Sequence, residues 1–223
     1  MRLIRLALPL CVVALLLGVS GVAAAQDSES SESSSDSSPN HHSGLMLRVT
    51  AGAGYANTGF RERIVGSDVS FGAYGPTLEL DAALGGVLFR NFAIHGTVQY
   101  WAAPNPNLRV RSGSYTIDGS TSDDTMLSGL LVGGGVTAWL GESNVYGSAS
   151  LGAVMLRAEN DRFREDSDWG FGGQALLGKE WWLGSSLGIG LAAAFSWHVT
   201  PETSTSPSLR GYTAGGRLSF TLN

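Results

Sequence analysis

Two short stretches of this sequence set a hydroxyl and an imidazole two residues apart: Ser196-Trp197-His198 and His95-Gly96-Thr97. They supply two residue types of nucleophilic acyl chemistry, a hydroxyl and a base that could activate it. His41-His42 offers two imidazoles but no third ligand nearby, which makes at most a weak metal site. No phosphate-cradling loop and no metal-ligand cluster occurs in the sequence. The single cysteine, Cys11, lies in the N-terminal apolar run. Whether the hydroxyls and imidazoles act together depends on the elements that carry them.

Those elements read as strands. In "YTAGGRLSFTLN", Tyr212 to Asn223, the residues Tyr212, Leu218, Phe220 and Leu222 fall on one parity, and Thr213, Arg217, Ser219 and Thr221 on the other. Successive strand side chains point to opposite faces, so a period of two marks a strand with different surroundings on its two sides. "LGIGLAAAFSWH" sorts Leu187, Ile189, Leu191, Phe195 and Trp197 against Gly188, Gly190, Ser196 and His198. A helix would not sort large from small residues with this period. The same pattern runs through "LMLRVTAGAGY", "PTLELDAALGGVL", "FAIHGTVQY" and "VYGSASLGAVM". It is noisier in "GLLVGGGVTAW", where Leu131 breaks it, and in "WGFGGQALLGKEWW", where Leu176 and Lys179 do.

That makes eight strands. Short links occur near Phe89 to Asn91, Gly141 to Asn144 and Gly184 to Ser186, and longer polar links over Ala56 to Gly75, Ala102 to Thr125, Ala158 to Asp168 and Val199 to Leu209. Short turns therefore lie at one end and long loops at the other.

The N-terminus sets the compartment. Arg2 and Arg5 precede an apolar run from Leu6 to Val19 and a small-residue stretch ending at Ala25, the pattern of a cleaved secretory signal peptide over residues 1–25. The run is shorter than the ~20 residues that a membrane-spanning helix requires. Cys11 would leave with the signal, which excludes disulfides and thiol chemistry from the mature chain. Residues 26–44 form a Ser-rich acidic tract without large apolar side chains, expected as a disordered linker. A single domain over residues 45–223 remains. Only 15% of the chain is charged, and it holds 31 glycines, which does not suit an ordinary water-soluble domain. With Lys179 the sole lysine and a formal net charge of −5, no basic field for nucleic acid exists.

An even number of antiparallel strands with one apolar face, short turns at one end and long loops at the other is the pattern of a transmembrane β-barrel. Closure pairs the last strand with the first and leaves no unsatisfied edge in lipid. The competing fold is a secreted, lipocalin-like barrel whose polar face meets water. Here the polar parity is mostly Gly, Ser, Thr and Ala, which suits a crowded lumen better than a water-facing surface. Aromatics gather near both strand ends, with Tyr55, Tyr100, Trp101, Phe171, Trp197 and Tyr212 toward the loops. Phe92, Trp139, Trp181, Trp182 and Phe220 lie toward the turns, so that together they make two interfacial belts. The expected fold is all-β: an eight-stranded antiparallel up-and-down transmembrane β-barrel, preceded by the signal peptide and the linker.

On these strands and their terminus, residues 45–223 resemble the small eight-stranded bacterial outer-membrane β-barrel family, the plan of the outer membrane protein A barrel and of outer membrane protein X. The family's C-terminal assembly signal is matched by Thr213, Gly215, Leu218 and Phe220, although this chain continues past Phe220 with Thr221-Leu222-Asn223. The resemblance implies residence in the Gram-negative outer membrane and the barrel-assembly machinery as a partner during biogenesis. Barrel lipid A deacylases use a His-x-Ser arrangement that is absent here, since Ser196-Trp197-His198 runs in the reverse order.

Parity directs Arg48, Glu79, Asp81, His95, Gln99, Gln174, Glu180 and Arg217 into the lumen. An eight-stranded barrel is just wide enough for its own side chains, so these are expected to form a polar network that plugs it. The loops carry Arg61, Arg63, Arg109, Arg111, Arg157, Arg162 and Arg164, whose planar forks suit lipopolysaccharide phosphates and which neighbouring acids could equally neutralise. The expectation is a monomeric, non-enzymatic outer-membrane protein without cofactor or metal, in contact with outer-membrane lipids and serving a structural or surface-interaction role. The alternatives are a small-solute or ion channel and a lipid A-modifying enzyme.

Overall fold

The computed structural model describes residues 44–64, 67–89, 91–121, 124–184, 186–202 and 207–222. The expected signal peptide and all but the last residue of the expected linker lie outside them. The strands are β1 (Gly44–Ile64), β2 (Ser67–Phe89), β3 (Phe92–Pro104), β4 (Asn107–Ser112), β5 (Tyr115–Ser120) and β6 (Met126–Leu140). They continue with β7 (Val145–Glu159), β8 (Arg164–Asp166), β9 (Gly170–Trp182), β10 (Leu187–Val199) and β11 (Arg210–Leu222). Gly44 opens β1, one residue inside the stretch read as linker.

The antiparallel path β1-β11-β10-β9-β7-β6-β3-β2 returns to β1, which closes an eight-stranded barrel. The closing seam runs from Leu47 opposite Leu222 to Gly59 opposite Arg210. It holds the C-terminal strand on both sides, because β11 also pairs with β10 from Leu187–Leu222 to Val199–Arg210. Alternation then decides what faces outward. Leu78, Ile94, Val132, Leu151, Leu177 and Leu218 are exposed on the wall, while Arg48, Thr50, Glu79, Gln99, Gln174 and Arg217 are buried inside it. An apolar exterior around a polar interior is stable only when lipid surrounds it, so the barrel spans a membrane.

Three expected loops contain strands. The links expected over Ala56–Gly75, Ala102–Thr125 and Ala158–Asp168 hold the far ends of β1 and β2, the β4–β5 hairpin and β8. β1 and β2 stay in register without a bulge out to Ile64 opposite Ser67. β4 adds to the upper part of β2, β5 to β4, and β8 to the end of β7. The physical reason is a change of surroundings. Along β1 the outer parity reads Leu47, Val49, Tyr55 and then Asn57, Arg61, Arg63, while the inner parity reads Arg48, Thr50 and then Phe60. Once the wall leaves the lipid, water faces its outer side, so polar residues move outward and apolar ones inward. Phe60 stacks on Phe71 with ring centroids 4.9 Å apart, and the strands continue with inverted faces.

Leu151, 57% exposed at the middle of β7's outer face, marks the lipid-facing wall. Leu151→Arg is expected to cost about 2–4 kcal/mol in urea unfolding from lipid vesicles. Ile117→Arg, on the hairpin beyond the membrane, should stay within about 0.5 kcal/mol. Equal costs at the two positions would contradict the assignment of the lipid face.

Candidate functional site

The barrel interior combines apolar clusters with polar side chains. Near the short turns, Met46, Ala83, Trp139, Tyr146 and Leu176 pack together. Near the long loops, Ala56, Trp101, Leu131, Val154 and Leu156 form a second apolar cluster. The inward polar side chains lie between these clusters and also within them, Glu180 against Trp139 at the turn end and His198 against Trp101 at the loop end. The large aromatics fit because glycines face them: a Cβ at Gly129 would lie 2.4 Å from the Trp101 indole, and one at Gly178 would lie 2.7 Å from the Tyr146 ring.

Trp101 and Trp139, expected in the interfacial belts, are instead 4% and 3% exposed inside the barrel. Each shares the parity of inward polar neighbours, Gln99 for Trp101 and Thr137 for Trp139. Their place near the strand ends suggested a belt, but the side of the wall is set by parity. Leu131 and Leu176, which interrupted the sequence pattern, are buried in the two apolar layers.

The structure buries Arg48, Glu79, Asp81, His95, Gln99, Gln174, Glu180 and Arg217 in the lumen and distributes them over separate clusters. Arg217 donates from Nε and Nη2 to Glu79 Oε2 at 2.9 and 2.7 Å, and from Nη1 to Gln174 Oε1 at 3.2 Å. Gln174 and the Thr97 hydroxyl donate to Asp81 Oδ2 at 2.6 and 2.9 Å. Arg48 donates to the hydroxyls of Thr137 and Ser148 at 3.2 and 2.8 Å and sits 5.1 Å above the Tyr146 ring. His95 Nε2 lies 3.0 Å from the same Thr137 hydroxyl. Glu180 accepts from the Trp139 indole at 3.1 Å and from Thr221 at 2.5 Å. Thr137 and Ser148 were not among the expected site residues, and Thr97 and Ser196 entered only as candidate nucleophiles, although inward parity was the available signal for all four.

The hydroxyl and imidazole pairs do not bond to each other. Ser196 accepts from Gln99 Nε2 at 2.7 Å and from Thr213 at 3.3 Å, while His198 Nε2 lies 3.0 Å from Thr58 and its ring stacks 5.9 Å from Trp101. Two residues along a strand span about 6.6 Å, beyond hydrogen-bond reach, so each group bonds to other strands. Among the described residues, no group of three or more His, Cys, Asp or Glu could hold a metal ion.

The strongest interior bond is the Arg217–Glu79 pair, fully buried on both sides. Removing one partner strands a buried charge. Arg217→Ala should therefore cost about 3–5 kcal/mol in urea unfolding, and combining Arg217→Met with Glu79→Gln should recover most of that loss. A cost below about 1 kcal/mol for the single change would mean that water reaches the pair.

Beyond the membrane, β1, β2, β4 and β5 form a four-stranded sheet. Arg63 pairs with Asp68 at 3.5 Å, and Arg109 with Asp118 at 2.7 Å, its guanidinium 4.7 Å above the Tyr74 ring. On the β7–β8 hairpin, Asp166 receives Arg157 at 2.5 Å and lies 3.9 Å from Arg164. Arg162, on the same hairpin, is exposed. The hydrogen bond from Arg109 holds the Asp118 carboxyl below its usual range, and Arg157 does the same for Asp166. A depressed carboxyl contributes stability above its ordinary value of about 3.9 and loses it as pH falls through the lowered folded value. Hydrogen-exchange protection of β4 and β5 should thus hold from pH 7 to about 5 and decline only below about 4. Decline near pH 6 would contradict this pairing.

No family model and no curated protein matches the chain. Solved structures similar to it include Neisserial surface protein A, with 15% identity over 79% of this chain and 96% of that one and a TM-score of 0.46. Another is the outer membrane protein OprG from Pseudomonas aeruginosa, with 11% identity, 83% and 100% coverage and a TM-score of 0.44. The attachment invasion locus protein of Yersinia pestis aligns with 11% identity over 80% of this chain and 100% of that one, with a TM-score of 0.39. The closed wall and its apolar exterior are those of an eight-stranded transmembrane β-barrel.

Proposed function

We propose that this chain is a non-enzymatic, monomeric protein of a Gram-negative outer membrane with a closed lumen, serving as a rigid mount for a surface-interaction sheet. The observation that carries the reading is the filling of the interior. Apolar clusters toward both ends, Met46–Trp139–Tyr146 and Trp101–Leu131–Leu156, fill the lumen together with polar side chains whose charges bind one another, neighbouring hydroxyls and, for Glu180, the Trp139 indole. An apolar constriction in a pore stays closed to ions until it is wetted, and side chains packed across the lumen leave no room for that water.

The lipid-modifying reading is not favoured, because the Ser196 hydroxyl is held by Gln99 and Thr213, away from an imidazole base. In this proposal Thr213, Gly215, Leu218 and Phe220 serve the barrel-assembly machinery before β11 closes on β1. Leu218 and Phe220 face outward, while Thr213 is buried inside.

The test is single-channel recording on folded protein in planar bilayers. Wild type should give no discrete conductance steps at about 100 mV in molar salt, and Trp101→Ala together with Leu131→Ala should raise leak by thinning the loop-end layer. Reproducible unitary steps in wild type would establish the channel instead.

A further inference from the structure

The outer face of the extramembrane sheet continues the lipid-facing wall without a break in register. It carries Arg61 and Arg63 on β1, Asp68 and Ser70 on β2, Arg109 and Arg111 on β4, and Asp118 on β5. Both acids on this face are occupied, Asp68 by Arg63 and Asp118 by Arg109, which reaches both of its oxygens. Arg61 and Arg111 are exposed and form no hydrogen bond or ion pair with a described residue; Asp118 acts on Arg111 only through its field.

Register places these two cations, unpaired among the described residues, in one row. Arg61 lies opposite Ser70 on one side of β2, and Arg111 lies opposite Ser70 on the other. Their backbones are two strand spacings apart, about 9.6 Å, which two long side chains can close over the hydroxyl between them. Two planar guanidinium forks and a hydroxyl donor match the oxygens of a phosphoryl group.

The same face indicates where the phosphoryl comes from. Below the row it passes through Tyr55 and Tyr74, ring centroids 6.3 Å apart, and then into the apolar wall that carries Leu78. A lipid lying on this wall sets its acyl chains on the apolar residues and its headgroup against the tyrosines. Ser70 stands four residues beyond Tyr74, about 13 Å along the strand or ~10 Å along the membrane normal at a tilt of about 40°. That is beyond the ~5–8 Å of an ordinary headgroup layer, so the phosphoryl belongs to a larger, sugar-bearing headgroup.

We infer that Arg61 and Arg111, with Ser70 between them, clamp a phosphoryl group of an outer-leaflet glycolipid that lies along the barrel wall. The inference rests on the surface-interaction reading above and names the partner of that face. It separates the seven loop arginines: Arg63, Arg109 and Arg157 are committed to acids, Arg164 approaches Asp166, Arg162 stands on the β7–β8 hairpin, and Arg61 and Arg111 form the site.

The test titrates the full folded chain in detergent with purified lipopolysaccharide, with its dephosphorylated form and with inorganic phosphate, at about 0.15 M salt. Arg61→Ala with Arg111→Ala should weaken lipopolysaccharide binding by about tenfold or more, and dephosphorylation should do the same to wild type. Arg162→Ala with Arg164→Ala removes the same charge elsewhere and should change binding by less than about twofold. Arg61→Gln with Arg111→Gln should weaken binding as the alanine pair does, and the unboiled gel mobility of each variant reports its folding. Equal binding by wild type and the Arg61/Arg111 variants would overturn the clamp, as would an equal loss in the Arg162/Arg164 variant. Full competition by inorganic phosphate at about 10 mM would overturn the glycolipid as its source. Conductance is read separately, so an open lumen would overturn the closed-barrel reading without touching this result.

Discussion

A backbone that crosses lipid finds no water for its amides and carbonyls, and pairing β11 with β1 is what satisfies the last of them. Without that seam, two strand edges would face hydrocarbon. With it, the terminal strand is bonded on both sides, which is why alternation persists to Leu222 rather than fading as chain ends commonly do. Closure also creates the inside. Every residue of inner parity must fit into a space that eight strands leave barely wide enough for side chains, and the abundance of small residues on that parity answers this constraint.

The interior combines two ways of filling that space. Where the wall nears water at either end, aromatic and aliphatic side chains close it, and glycines opposite Trp101 and Tyr146 make room for the rings. In the middle, charges are retained with partners. A buried ion pair contributes little net stability against an apolar pair of the same size, but removing one half is costly, so Arg217 and Glu79 constrain each other. Arg48 meets the same demand differently, through two hydroxyls and an aromatic face.

The wall outlasts the membrane. β1 and β2 run on as a hairpin that recruits β4 and β5, and their faces exchange character where lipid gives way to water. This inversion explains both the overlooked strands and the place of the arginines. A search for apolar residues on the outer parity ends at Tyr55 and resumes near Leu78, because between those points the apolar parity is the inner one, with Phe60, Phe71 and Val110. The basic residues are consequently gathered on the side that continues the lipid-facing wall.

The sequence by itself determined the strands within the membrane, their number and the side of the wall on which each residue lies, because a period of two is a local property that needs no partner. It also indicated which polar side chains enter the lumen. Tertiary structure decided who meets whom. Arg217 finds Glu79 across 138 residues, and Arg48 finds Thr137 and Ser148 across 89 and 100. It decided as well which arginines are committed to an acid, since Arg63 and Arg109 are paired only once Asp68 and Asp118 come into register. The reason is geometric: alternation assigns a face, but the tilt and stagger that close a barrel set the height at which each inward or outward side chain stands relative to the other strands.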